Sequence, residues 1–187
     1  MQLPEPEAIL TNKLNIDDLE QSGATEYEAA NHIFNFLAEY TNKTNGCTLC
    51  GYNSNSFDLN FLRNLLIRYG WNPYFRGKLK NKDILHYVEY LFHLNPTQFP
   101  KILRQSEKHQ FYSFKLEDIS AHFKLLTKPQ THNAIEDVEL TIKLIKHLDK
   151  QFQDTPFSTF SAIQLAKNDQ SQSIYEYGKS KTRDFAN

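Results

Sequence analysis

Apolar residues recur at three- and four-residue spacing in several stretches of the chain, and most stretches are bounded by a residue that starts or stops a helix. Over residues 26–40, Ala30, Ile33, Phe34, Leu37 and Tyr40 share one face, the period of a half-buried helix. Thr25 stands ahead of them with Glu28 three places later, the signature of a capping box. Phe61, Leu62, Leu65 and Leu66 predict a second helix over residues 57–69, ended by Gly70, since glycine takes the left-handed cap without strain. Asp83 is placed to cap a third helix running to about Leu94, and Pro96 blocks its continuation. Ser113 opens a shorter helical element with Leu116, Ile119 and Phe123 inward. The longest helix is predicted over residues 133–152, with Ala134, Val138, Leu140, Ile142, Leu144, Ile145 and Leu148 apolar. Residues 47–52 read as the best strand, short, apolar and closed by Asn and Ser. Residues 71–79 fit a short strand or a loop, residues 95–112 a long loop with two prolines, and residues 3–25 an irregular lead-in.

Composition narrows the setting. A chain of 187 residues with 40% hydrophobic content is long enough for one domain with a real core. No apolar run approaches the ~18 residues of a membrane span, so no membrane contact is expected. The first residues carry neither a basic patch nor an apolar segment, which argues against a signal peptide. With two cysteines and no export signal, the expected compartment is the reducing cytoplasm. A net charge of −1 argues against a broad basic face that would hold duplex DNA through its phosphates. It leaves room for a single strand held by stacking. Lys101, Arg104, Lys108, Lys115, Lys124 and Lys128 read first as a solvated face and second as a phosphate-contacting edge. Residues 153–187, rich in Ser, Gln, Lys and Asp with a weak amphipathic patch over 157–165, are expected to form a loosely held polar tail or the start of a further domain.

The candidate chemistry lies in two segments, Gly51-Tyr52-Asn53-Ser54-Asn55-Ser56-Phe57-Asp58 and His132-Asn133-Ala134-Ile135-Glu136-Asp137-Val138. Each places an acid at the start of an apolar helix, and His132 precedes Asp137 by five positions. Taken singly, Asp58 and Asp137 are ordinary first-turn acids favoured by the helix dipole, and His132 is a loop histidine. Taken together they suit phosphodiester cleavage, which uses carboxylates to hold divalent metals and a base to activate water. Tyr52, Asn53 and Phe57 flank these positions and are the candidate substrate-binding residues. Trp71, Tyr74 and Phe75 read as aromatic core instead. Cys47-x-x-Cys50 has half the spacing of a zinc site, but within a strand the two side chains point to opposite faces, so both are expected as buried thiols. His86 and His93 read as packing residues of their helix rather than metal ligands.

These two segments resemble the second and third motifs of the DEDDh 3′→5′ exonucleases, within them the bacterial exonuclease I group. Ser113-Phe114-Lys115-Leu116-Glu117-Asp118-Ile119 is similar to that group's Ser-x-Arg-Leu-Glu helix, and the resemblance runs in order over residues 3–150. It implies Asp58 and Asp137 as metal ligands, His132 as general base, Mg²⁺ or Mn²⁺ as cofactor, and single-stranded DNA, with RNA possible, as substrate. The implied fold class is α/β (α+β), an RNase H-like exonuclease fold, N-terminally truncated and helix-rich with a reduced mixed sheet. Residues 1–152 would form the partial exonuclease domain. The family's first motif, Asp-x-Glu on a first strand, has no counterpart here: Glu5, Glu7, Asp17, Asp18, Glu20, Glu26 and Glu28 all lie outside apolar strands. The expectation is therefore a truncated domain, one completed by self-association or a partner strand, or one repacked as mainly helical. An exonuclease domain with impaired turnover is the leading reading. A non-catalytic module that binds nucleic acid or protein is the alternative.

Overall fold

The computed structural model describes residues 17, 21, 23–106, 110–126 and 134–161; the lead-in before residue 23, His132 and most of the expected tail fall outside these. The elements in chain order are α1 (Glu26–Lys43), β1 (Cys47–Gly51), α2 (Asp58–Arg68), a single 3₁₀ turn (Phe75–Gly77), β2 (Leu79–Asp83), α3 (Ile84–Leu94), β3 (Leu103–Gln105), β4 (Gln110–Tyr112), α4 (Leu116–His122) and α5 (Ala134–Gln151). The fold is α+β, helix-rich, with two two-stranded sheets, β1–β2 and β3–β4. No helix among the described residues is long and apolar enough to cross a membrane.

The chain forms two compact units. The first takes residues up to Cys50, then Ser54–Asn81 and Gln130–Asp137; the second takes Gly51–Asn53, Lys82–Pro129 and the chain from Val138. Strands β1 and β2 and helix α5 each carry the chain from the first unit into the second.

In the first unit, the capping box forms as the sequence predicts. Thr25 Oγ1 accepts from the Glu28 N–H, and the Glu28 carboxylate accepts from the Thr25 N–H at 2.8 Å. Helix α1 buries Ala30, Leu37 and Thr41, and Thr41 takes the inward place expected of Tyr40, which is exposed. Aromatic rings join the helices: Phe34 stacks on Trp71 at 5.0 Å and on Phe75 at 5.1 Å, and Tyr27 meets Tyr69 edge-on at 5.3 Å. Trp71 and Phe75 are thus packing residues, whereas Tyr74 is exposed beneath the Arg63 guanidinium. Gly70 ends α2 with φ +77°. Gly46 starts β1 so close to its neighbour that a Cβ there would sit 3.0 Å from the Lys78 carbonyl oxygen. Both cysteines depart from expectation: Cys47 is half-buried and Cys50 exposed, on opposite faces of a strand whose one face is half-buried and the other exposed.

In the second unit, α3 supplies Ile84, Tyr87, Val88 and Leu91, all fully buried, at the spacing of one helical face. They meet Ile119 of α4, Leu144 and Leu148 of α5, and Phe99, Phe114 and Phe152 in one apolar cluster. The β3–β4 hairpin, where a loop was expected, pairs Leu103 with Tyr112, Arg104 with Phe111 and Gln105 with Gln110. Arg104 and Ser113 both donate to the Asp118 carboxylate, tying the hairpin to α4. The expected alignment of α5 is only partly met. Leu140, Thr141, Leu144 and Leu148 form its buried face, while Ile135, Val138 and Ile142 lie on an exposed one.

The chain after α5 is not loosely held as far as residue 160. Phe157 and Phe160 close over the Tyr87 ring at 5.2 and 5.4 Å. Asp149 accepts from the Phe157 N–H at 2.7 Å and from the Tyr87 hydroxyl at 3.1 Å, and that hydroxyl also reaches the Thr155 carbonyl at 2.8 Å. Lys82 donates to the carbonyls of Phe157 and Ser158. Tyr87→Phe removes the hydroxyl and leaves the Thr155 carbonyl without that donor. It is expected to lower stability by about 1–2 kcal/mol and to raise amide exchange over residues 155–160. Unchanged exchange there would show that the segment is held without Tyr87.

Candidate functional site

Strand β1 ends at Gly51 and the chain then turns sharply. Asn53 sits at φ +57°, in the left-handed region that Asn tolerates better than other side chains. The turn is fixed by Asp83, 2% exposed, whose Oδ1 accepts from the Asn53 N–H at 2.8 Å and from the Leu85 N–H at 3.0 Å. One carboxylate oxygen therefore caps α3 and pins the turn. The sequence revealed the cap; the second bond joins residues 30 apart and left no local signal.

Tyr52 is fixed by the same unit. Its hydroxyl donates to the Phe114 carbonyl, and its ring packs on the apolar cluster. Burial, and then the charges of Glu89, Asp83 and Asp118, push the phenol well above its usual range. The hydroxyl stays protonated and committed, so Tyr52 can offer a ligand only its ring. Asn53, by contrast, is exposed, with its backbone fixed and its side chain turned out.

Phe57, Asp58 and Asp137 belong to the first unit. Helix α2 starts without a side-chain cap, because Phe57 occupies the cap position. The turn is closed by backbone instead: the Leu59 N–H donates to the Ser54 carbonyl at 2.9 Å. Asp58 is exposed in the first turn of α2, where the helix dipole favours a carboxylate. Asp137 is half-buried in the first turn of α5, beside Glu136. Phe57 and Phe61 are 61% and 65% exposed and touch each other at 4.7 Å between ring centres. The sequence pattern placed Phe61 inward; only Leu59 and Leu66 of this helix are buried. Residues not anticipated are Asn55 and Asn81, linked at 2.6 Å, with Arg63 reaching Asn81 at 3.5 Å. No group of three or more His, Cys, Asp or Glu able to hold a metal ion occurs among the described residues.

No family model matches the chain, and no curated protein matches its sequence. Solved structures do. The chain is similar to E. coli exonuclease I in complex with a 5cy-dT13 oligonucleotide, with a TM-score of 0.63 and 23% identity over 80% of this chain and 30% of that one. It is similar to the exonuclease I–SSB-Ct complex, with a TM-score of 0.62 and 21% identity over 80% of this chain and 31% of that one. The zinc-bound form of the E. coli exonuclease I–single-stranded DNA complex gives 0.62 and 24%, over 80% and 30%. The chain thus shares the fold of the matched part of these structures and spans about 30% of their length.

The left-handed turn gives a direct check on its design. Asn53→Gly is expected to leave stability within about 1 kcal/mol of the parent, while Asn53→Ala, with a Cβ and no polar group, costs about 1–2 kcal/mol. Chemical denaturation of the two variants measures the difference. Equal stability would mean that the turn relaxes out of the left-handed region.

Proposed function

We propose that this chain is a 3′→5′ exonuclease domain of the exonuclease I type, acting on single-stranded DNA by metal-dependent phosphodiester hydrolysis. The observation that carries the reading is the fold likeness to exonuclease I solved with single-stranded oligonucleotides, taken with the two first-turn carboxylates, Asp58 and Asp137, in one compact unit. Asp58 and Asp137 would hold Mg²⁺ or Mn²⁺. Carboxylate oxygens suit these hard cations, which bind through one or two carboxylates and complete their shells with water and substrate phosphate. Bound there, such ions supply charge neutralisation for the phosphate undergoing attack. His132 takes the proton from the attacking water, work suited to an imidazole with a pKa near neutrality. Phe57 offers an exposed ring to the terminal base, and Tyr52 and Asn53 contact the strand.

The acid pair falls short of the full carboxylate set that two-metal cleavage uses. These 187 residues by themselves are therefore expected to bind a single strand with little or no turnover, and full turnover to need an Asp-x-Glu strand supplied to them. The cytoplasm, where thiols such as the exposed Cys50 stay reduced, is the proposed setting.

The experiment is a Mn²⁺ titration of the ¹⁵N-labelled protein alongside a 3′-labelled single strand. Paramagnetic broadening is expected first at Asp58 and Asp137, and Asp137→Asn should abolish it. In a chain that also carries an Asp-x-Glu strand, Asp137→Asn should lower nucleotide release by at least about 100-fold, the scale of several kcal/mol of lost transition-state stabilisation. Broadening centred elsewhere, or release that Asp137→Asn leaves intact, overturns the metal assignment. Strand binding without release in any form makes the protein a non-catalytic single-strand binder.

A further inference from the structure

Charge is unevenly placed along the chain. Between Asp58 and Asp83 the sequence carries six cations, Arg63, Arg68, Arg76, Lys78, Lys80 and Lys82, and no acid, although the whole chain has net charge −1. Three of the six are engaged. Arg68 pairs with Glu26, Arg63 lies over the Tyr74 ring and reaches Asn81, and Lys82 donates to the Phe157 and Ser158 carbonyls. Arg76, Lys78 and Lys80 take part in none of the ion pairs among the described residues. All three belong to the first unit, on the 3₁₀ turn, just after it and on β2. Arg76 and Lys80 are exposed and Lys78 half-buried. The backbone beneath them is held. The Lys78 carbonyl accepts from the Cys47 N–H at 3.0 Å, and Asn81 donates to Asn55 at 2.6 Å. Phe75, Arg76 and Gly77 stand at φ +47°, +57° and +81°, a left-handed run in which only the glycine is unstrained. Phe75 has a packing reason for it, because its ring stacks on Phe34. The exposed Arg76 has none. Strain that packing does not explain collects at functional positions.

We propose that Arg76, Lys78 and Lys80 form a phosphate-contacting edge for single-stranded nucleic acid, which holds the strand's backbone without reading its bases. The inference rests on the single-strand reading above and adds to it a contact that uses neither Asp58 nor Asp137. The occupant follows from charge and from a neighbouring ring. Three cations outside any ion pair, with no acid between Asp58 and Asp83 in sequence, suit a polyanion. The guanidinium offers phosphate two parallel N–H donors, and each ammonium offers a point charge. Tyr74 precedes the left-handed turn and is 53% exposed, so a base of the same strand has a ring to stack on. An acidic peptide would satisfy the cations and bring no base to that ring. An edge of three cations is far narrower than the basic face of a duplex binder, and it is compatible with a nearly neutral chain.

The test is fluorescence anisotropy of labelled dT and dA oligonucleotides with the full chain, in EDTA to remove any metal contribution, across a series of salt concentrations. Each phosphate contact with a single strand adds about 0.7 to the slope of log K against log salt. Replacing all three cations together, by Arg76→Gly, Lys78→Gln and Lys80→Gln, should therefore flatten the slope by about 2 and weaken binding at low salt by about tenfold or more. The loss should be the same for dT and dA, as for any contact to the backbone. Lys143→Gln, Lys146→Gln and Lys150→Gln together remove the same charge from exposed positions of α5 and should leave affinity nearly unchanged. Arg76→Gly alone separates binding from folding. Glycine takes the left-handed conformation without strain, so the melting temperature should hold or rise while affinity falls. If the parent binds and the first triple variant keeps its affinity and slope, or the α5 variant loses as much, the edge is overturned while the single-strand reading stands. If binding follows the expected pattern but Mn²⁺ yields no nucleotide release in any form, the edge is upheld and the exonuclease reading fails. If no strand binds, both are overturned, and a glutamate-rich peptide whose binding the first triple variant abolishes would assign these cations to an acidic protein partner instead.

Discussion

A single buried carboxylate sets the geometry on which the second unit depends. Asp83 ends β2, caps α3 and holds the Asn53 N–H, all through one oxygen. Charge is costly to bury unless hydrogen bonds replace the lost water, and backbone N–H donors to a carboxylate are among the stronger bonds a protein makes. Asp83 therefore constrains as well as stabilises. Helix α3 must begin where β2 stops, and the chain leaving β1 must turn within hydrogen-bonding reach of that same point. From there α3 carries Tyr87 and Leu91 into the core, and the turn carries Tyr52 to the Phe114 carbonyl. The left-handed Asn53 is the local cost of meeting that constraint.

The parts of this arrangement legible in the sequence are those with short-range causes. The Thr25–Glu28 capping box, the Gly70 stop and the Asp83 cap each act over a few residues, and all three occur in the structure. Helix α3 is almost entirely apolar on its inner face and could be read by period alone. The failures have equally physical causes. Strand β2 reads Leu-Lys-Asn-Lys-Asp, and no β-propensity survives in so polar a run; it is a strand because β1 lies beside it. Strands β3 and β4 have three residues each, too few for an alternation to register. Phe157 and Phe160 stand among Ser, Thr and Asp, and only the contact with Tyr87 shows that they belong to a core. For the candidate site, Asp58 and Asp137 were legible as first-turn acids in a recognisable spacing. The second bond of Asp83 was not, because it joins segments remote in sequence.

Some of the exposed apolar side chains of the described residues are grouped. Phe57 and Phe61 lie one turn apart on α2, and Ile135, Val138 and Ile142 share a face of α5. Single exposed apolar residues are ordinary, but paired rings and a three-residue stripe on helices that begin with candidate metal ligands are informative. Such surfaces gain roughly 25 cal/mol for each Å² removed from water. A strand of nucleic acid, with its stackable bases, or a polypeptide strand bringing further carboxylates could each cover part of them. The carboxylates at the helix starts and the rings beside them are thus complementary features. On the proposed reading, the acids would hold cations facing an anionic backbone, and the rings would face the bases.

Charge distinguishes the proposed mode of recognition from that of a duplex-binding protein. A basic face attracts phosphate without regard to sequence and loses affinity steeply as salt releases counterions. A nearly neutral chain with exposed rings works differently. Stacking is tolerant of sequence, because every base has a π-face, and it requires that the base be unpaired. On the proposed reading, selection for single strands would need no dedicated reader, because a duplex keeps its bases inside and leaves the exposed ring of Phe57 without a base to stack on. The 21 Lys and Arg are offset by 22 Asp and Glu, and at least one cation, Arg63 over Tyr74, stands next to an aromatic ring. The side chains that would weaken a duplex binder, aromatic and uncharged at the surface, are the ones on which the proposed single-strand reading depends.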